Sequence, residues 1–172
     1  AGAAARGASV VVGCFTGVAD RDAHVRTGRF PVHLADLLGV SGEEWAALPD
    51  DGVPLSGPLV DAAGPDGTAR AHVLGELLRA EGAEVLASYA VGHLAGAPAV
   101  TRRRVPGPDG AASAASGGSA WYVSTILPEP LLRRVLTDAC ESAGVTGAVP
   151  GLADLPGVEA VRRGDHLFLL DH

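Results

Sequence analysis

Asp20, Asp22 and His24 alternate in a short acidic run, and their spacing is the nearest approach to a metal-ligand set in the chain. Three such side chains are too few for a hard or borderline ion, which needs more ligands in a defined geometry, so a solvated acidic loop is the reading. Cys14 closes the apolar run Val10-Val11-Val12-Gly13, where a nucleophile could stand, but no glycine-framed turn from strand to helix surrounds it. With Cys140 it can make neither a disulfide framework nor a four-ligand zinc site, and both thiols, lying in apolar-patterned segments, are expected to be buried and inert. The acidic pairs offer no better chemistry. A retaining glycosidase needs two carboxyl groups about 5–5.5 Å apart across a sugar, whereas Glu43 and Glu44 point in different directions and Glu81 and Glu84 flank the start of a strand. Ser113, Ser116, Ser119 and Ser124 fall in a low-complexity loop and the strand beside it, without an elbow. No Walker sequence, G-x-G-x-x-G or HExxH occurs, and no cofactor is implied.

The bulk composition narrows the classes further. At 172 residues there is room for one ordinary domain, or one plus the start of another. A net charge of -7 argues against nucleic acid and against an anionic membrane surface as partners. The one basic cluster, Arg102-Arg103-Arg104, is read as a strand end projecting into water. No apolar stretch approaches the ~20 residues of a membrane span, and a cytoplasmic location is expected. Lysine, asparagine, glutamine and methionine are all absent. Without a methionine, Ala1 is expected not to be a native start, and the chain to be processed or a fragment.

The elements that must position these residues begin with a helix tail at 1–7 and a strand at 8–14, whose continuous valines suggest burial on both faces. Phe15 to Phe30 is a long connection rich in Asp, Arg and Gly just past that strand's carboxyl end, where open α/β sheets place ligands or contacts. It is the best functional address in the chain. Pro31 opens a short helix carrying Leu34, Leu37 and Leu38, closed by Gly39. Residues 41–48 fit either a capping box or an edge strand, and Trp45 within them is expected to pack. The Pro, Gly and Asp of 50–68 mark a surface loop. The spacing of Val73, Leu74, Leu77 and Leu78 suggests a helix over 69–79, weakened by Gly75.

Three neighbouring strands are expected between Glu81 and Thr125: an antiparallel pair at 83–90 and 97–104, with Pro98 near the start of the second, and a third at 119–125. The Pro-, Gly-, Ala- and Ser-rich segment from Val105 to Gly118 is taken as a flexible loop. Glu129 to Ala143 reads as a helix with Leu131, Leu132, Val135, Leu136 and Cys140 inward and Gly144 at its end. After a turn-rich linker, strands at 158–162 and 166–170 flank Gly164-Asp165, so that Arg163-Gly164-Asp165 is a hairpin turn and not an adhesion motif.

Taken in order, Val-Val-Val-Gly-Cys-Phe-Thr-Gly-Val-Ala-Asp at 10–20, Gly28-Arg29-Phe30-Pro31, Leu37-Leu38-Gly39-Val40, Glu81-Gly82-Ala83-Glu84-Val85-Leu86-Ala87, Pro98-Ala99-Val100-Thr101-Arg102, Ala120-Trp121-Tyr122-Val123-Ser124-Thr125 and Gly157-Val158-Glu159 form a pattern. It resembles the middle, trimerisation domain of glycoside hydrolase family 42 β-galactosidases, followed by the first strands of their small C-terminal β domain. The chain departs from that pattern at Cys14, in the insert before Gly118 and at Asp171.

The resemblance implies an open α/β sheet of the Rossmann-like, class I amidotransferase-like kind, incomplete at its N-terminus, over residues 1–150, with 151–172 a linker and the start of the next domain. It implies a homotrimeric parent whose separate (β/α)8 barrel holds both catalytic glutamates, so this chain would carry an oligomerisation role and no catalytic residue. It also argues for a loop followed by a strand, and not a helix, at 69–79. Phe15, Thr16, Asp20, Asp22, His24 and Phe30 are the candidate contact residues, toward another subunit or the barrel. Two alternatives stand beside this: an amidotransferase-like enzyme using Cys14, and a stand-alone sugar-binding or scaffold module.

Overall fold

The computed structural model describes residues 1–63, 69–107, 117–149, 152 and 157–171. The elements run α1 (Gly2–Ala5), β1 (Ser9–Gly13), α2 (Ala35–Leu38), β2 (Val40–Ala47), β3 (Val53–Ser56), α3 (Pro58–Ala63), β4 (Arg70–Ala71) and β5 (Leu74–Ala80). They continue with β6 (Glu84–Tyr89), β7 (Pro98–Val105), β8 (Gly118–Val123), α4 (Glu129–Ser142), β9 (Val158–Arg163) and β10 (His166–Asp171). The main sheet has the order β1-β8-β7-β6-β3-β4. Its β1–β8 pair is parallel, while β8–β7, β7–β6, β6–β3 and β3–β4 are antiparallel. The protein is therefore mixed α/β, with a largely antiparallel sheet among the described residues.

The side-chain alternation of the strands puts two cores on the two faces of this sheet. Trp121 and Val123 of β8 join Leu86, Val100 and, from the helices, Leu59, Leu131, Val135 and Ala139 on one face. Ala120 and Tyr122 join Val12, Phe30, Leu38, Val40 and Leu78 on the other. That second face is covered by α2 and by a separate two-stranded antiparallel ribbon, β2–β5, with a bulge between Gly42 and Glu44. Hydroxyls tie the layers together. Tyr89 donates to Ser124 O at 3.2 Å, Ser124 Oγ donates to Pro98 O at 3.1 Å, and Thr125 Oγ1 donates to Leu74 O at 2.6 Å, so the ends of β6, β7 and β8 are bound to one another and to the ribbon.

The three strands between Glu81 and Thr125 are adjacent as expected, and Pro98 is the first residue of β7, where its missing N–H removes no interior ladder bond. The edge-strand alternative holds for 41–48, and 74–80 is a strand: Trp45 pairs with Glu76 across β2–β5, a contact that the helical spacing of Leu74, Leu77 and Leu78 conceals. Gly39 closes α2 with φ of 64°, but that helix begins at Ala35 and not at Pro31.

Other expectations are corrected. The surface loop read at 50–68 contains β3 and α3; Pro58 opens α3 where a missing N–H costs nothing, and Leu59 is buried beneath it. β1 is not buried on both faces: among the described residues it pairs only with β8, and Val11 is 37% exposed while Val12 is buried. In α4, Leu131, Val135 and Ala139 face inward, whereas Leu132, Leu136 and Cys140 lie outside; the turn of 100° per residue carries one row in and the adjacent row out. Cys140 is thus an exposed thiol. The segment 108–116, read as a flexible loop, lies outside the described residues, as do 64–68 and most of the linker at 150–156.

Candidate functional site

The connection from Phe15 to Phe30 is pinned at both ends by one side chain. The Phe30 ring stacks on Trp45 with centroids 4.2 Å apart, and the Phe15 ring stacks on the same indole at 5.7 Å. Trp45 is placed by β2, and its neighbour Gly42 makes room for the clamp: Phe30 N donates to Gly42 O at 3.2 Å and Gly42 N to Phe30 O at 2.6 Å, with the Phe30 ring lying where a Cβ on Gly42 would stand. Phe30 is buried, while Phe15 remains 51% exposed.

At the far end of the loop, Asp20 closes a turn. Its Oδ1 accepts the backbone N–H of Asp22 at 2.9 Å and of His24 at 3.0 Å, and its own N–H donates to His24 O at 3.0 Å. The His24 N–H, above all, holds the Asp20 carboxyl below the usual carboxylate range. Ala19 bridges Val25, and Arg26 N donates to Val18 O at 2.9 Å, so the loop is a short twisted hairpin and not a loose coil. The ligand-capable atoms of Asp20, Asp22 and His24 do lie within 4.8 Å of one another. Their geometry is explained by the turn: one Asp20 oxygen is already committed to two backbone donors, and Asp22 and His24 are exposed. Thr16, the remaining candidate, sits exposed in the turn after Phe15.

Beneath the stack lies Glu76, which sequence reasoning did not single out. It is fully buried, and its Oε1 accepts the Phe15 N–H at 3.1 Å and the Trp45 Nε1–H at 3.0 Å. Burial pushes its carboxyl above the ordinary range, and those two N–H donors, with the nearby Tyr122 hydroxyl, oppose the shift only in part. Glu76 in turn keeps Phe15 in a left-handed conformation, φ of 63°, that residues other than glycine seldom adopt. The signal was present in Leu74-Gly75-Glu76-Leu77-Leu78: one acid in an apolar strand must either face water or find partners indoors.

Cys14 is half-buried, and burial together with the nearby Glu76 charge pushes its thiol up, the reverse of what an activated nucleophile requires. Nor do the acidic pairs of the sequence converge on a cleft. Glu43 pairs with Arg79 at 2.9 Å and with Arg29, Glu81 with Arg29 at 3.1 Å, and Glu84 with Arg102 at 2.7 Å, all in surface ion pairs. Glu44 lies 3.5 Å from His93.

With this geometry in place, the family model described as the β-galactosidase trimerisation domain matches residues 2–146. The chain belongs to that family. Among its relatives, a β-galactosidase from Arthrobacter sp. is 32% identical over 100% of the chain, and one from Heyndrickxia coagulans is 34% identical over 92%. The solved β-galactosidase from Rahnella sp. R3 superposes with a TM-score of 0.76 at 27% identity, covering 96% of the chain and 24% of that structure. The trimerisation domain spans 22% of the length of the first two relatives. The likeness to the solved structures supports the mixed α/β fold. Among the described residues of the domain, no helix is long and apolar enough to cross a membrane.

Proposed function

We propose that this chain is the assembly region of a β-galactosidase that hydrolyses terminal β-D-galactosides, and that it is itself non-catalytic. The observation that carries the reading is the match of the trimerisation-domain family over residues 2–146. It is supported by the acidic side chains: of those that might have formed an acid/base pair, Glu43, Glu81 and Glu84 are engaged with arginines at the surface and Glu44 lies beside His93, while the one buried carboxylate among the described residues serves the backbone of a loop. In this reading the parent is a homotrimeric, retaining enzyme of the cytoplasm whose (β/α)8 barrel supplies both catalytic glutamates. The parallel β1–β8 pair favours an open sheet of the amidotransferase-like kind, continued beyond β1 by upstream strands of the parent. The β9–β10 hairpin, a sheet of its own, is the start of the C-terminal β domain.

The contact between subunits, or with the barrel, is assigned to the Phe15–Phe30 hairpin and to Phe15, Thr16, Asp20, Asp22, His24 and Phe30 within it. A well-ordered turn on an aromatic base, with Phe15 half in solvent, suits a protein contact better than a flexible coil would, because less conformational entropy is lost on association. Two measurements test the whole. The purified chain should not turn over an aryl β-galactoside; turnover abolished by changing one of its glutamates overturns the non-catalytic role. In the full-length parent, shortening the 18–27 segment should weaken the trimer or its activity, and light scattering and kinetics that both stay unchanged would remove the loop from the interface.

A further inference from the structure

Glu76 presents more polar chemistry than the loop consumes. While Oε1 holds Phe15 and Trp45, the buried Oε2 has no partner, and neither does the buried hydroxyl of Tyr122, which lies close enough to be coupled to it. Thr101, directly across the β7–β8 ladder from Tyr122, adds a third buried polar atom without a partner. Native interiors leave few such groups unsatisfied; the phenol can donate its own proton to a charged Oε2, which opposes the upward shift in part, or accept one from a protonated Oε2, the form that burial favours.

We propose that Glu76 is a proton-operated latch on the Phe15–Phe30 hairpin. With the carboxyl protonated, Oε1 holds the Phe15 amide and the Trp45 indole while Oε2 turns its proton toward Tyr122. When the proton leaves, the buried charge is relieved by lifting Phe15 off its seat and admitting water. The latch rests on the interface reading of the hairpin and adds the condition that regulates it.

The surroundings favour this arrangement. The groups facing Glu76 are Cys14 from the end of β1, Tyr122 from β8, Tyr89 from β6 and Trp45 from β2, and none is a cation. The charged neighbours on β2 and β5 are engaged outside: Glu43 with Arg79 and Arg29, Glu44 with His93. Among the described residues, no arginine or histidine pairs with Glu76 to stabilise its charge. Phe15, left-handed at φ of 63°, also gains a commoner backbone conformation when it is released. Closure therefore raises the carboxyl pKa above that of the opened, hydrated group. Its benefit is complete below the ordinary value of 4.5 and is lost as the pH rises through the raised one.

Hydrogen exchange of peptides covering 14–30 in the purified protein, corrected for the intrinsic pH dependence of exchange, reads the latch directly. Opening should increase with pH by up to about tenfold per unit across the transition and then level off. Glu76→Gln keeps the acceptor and supplies an N–H toward Tyr122, so it should hold the hairpin closed and flat in pH; wild-type exchange that is already flat, or a Glu76→Gln protein that titrates like wild type, overturns the latch. Should Glu76→Gln not fold, Trp45→Phe serves: it keeps an aromatic base but removes an N–H that favours the ionised form, and the midpoint should move to higher pH, with an unmoved midpoint counting against the proposal. The two readings fail separately. Light scattering of a loop-shortened parent tests the interface, whereas pH-dependent protection in the intact chain tests the latch.

Discussion

At the scale of single residues, two carboxylates that hold one hairpin, Asp20 within it and Glu76 beneath it, respond to acid in opposite ways. Asp20 is stabilised in its charged form by backbone donors, so its contribution is present above the ordinary aspartate value of 3.8 and is lost as the pH falls through its lowered one. Amide exchange within residues 20–24 should consequently stay slow at neutral pH and quicken only on strong acidification, while Asp20→Ala should be fast throughout; an unchanged rate in the variant would deny Asp20 its capping role. Glu76, destabilised in its charged form by burial, loosens the other end of the hairpin as the pH rises. Gly42 carries a different constraint. A methyl group there overlaps the Phe30 ring, so Gly42→Ala should displace the clamp and cost about 1–3 kcal/mol, as overpacking of a tight site does. Urea denaturation gives the value, and a change within about 0.5 kcal/mol, as at an ordinary surface site, would mean that the ring has room to move. Of these residues, only Asp20 was visible as a candidate in the sequence. Its partners are two and four positions away, whereas Glu76 finds Phe15 and Trp45 at separations of 61 and 31 residues.

At the scale of elements, α4 shows how far periodicity carries. The 3.6-residue repeat marks a helix with an apolar side, and the helix is there, but apolar residues cover a wider arc than the sheet can bury. Leu131 is 2% exposed, while Leu136, with Leu132, Cys140 and Val145, lines a surface groove of about 900 Å³. Leu131→Ala should cost about 2–5 kcal/mol, as buried leucine truncations do, and Leu136→Ala less than about 0.5 kcal/mol. Equal losses in thermal or urea melts would show that the outer row is covered in solution. The ribbon β2–β5 teaches the complementary lesson. Leu74, Leu77 and Leu78 satisfy a helical repeat by accident, because Gly75 and Glu76 are buried on opposite faces of a strand: Gly75 lies against Tyr89 and Leu94, and Glu76 serves the hairpin base. The glycine read as a weak point in a helix is, in this ribbon, what lets Tyr89 and Leu94 pack close, and the acid beside it holds Trp45 and Phe15. The β3–α3 segment was hidden by its prolines and glycines, which serve equally as loop residues and as a strand edge and a helix start.

At the scale of the whole molecule, the described residues form a sheet with one core on each face and a structured hairpin at the carboxyl end of β1, and the proposed assembly role rests on the family and not on a cleft with chemistry in it. Local order in the sequence was enough to determine β6–β7–β8, the β9–β10 hairpin, the closing glycine of α2 and the family itself, because alternation, turn residues and short motifs act between near neighbours. It also singled out the connection from Phe15 to Phe30, to which the proposed contact is assigned. Tertiary structure alone decided what that connection rests on: that β1 pairs with β8 and leaves Val11 exposed, that β2 and β5 form a ribbon across the second face, and that Glu76 lies buried beneath Phe15 and Trp45. The reason is physical. Whether an acid is solvated, paired or left to share a proton depends on which side chains surround it in space, and those come from strands that the sequence keeps far apart.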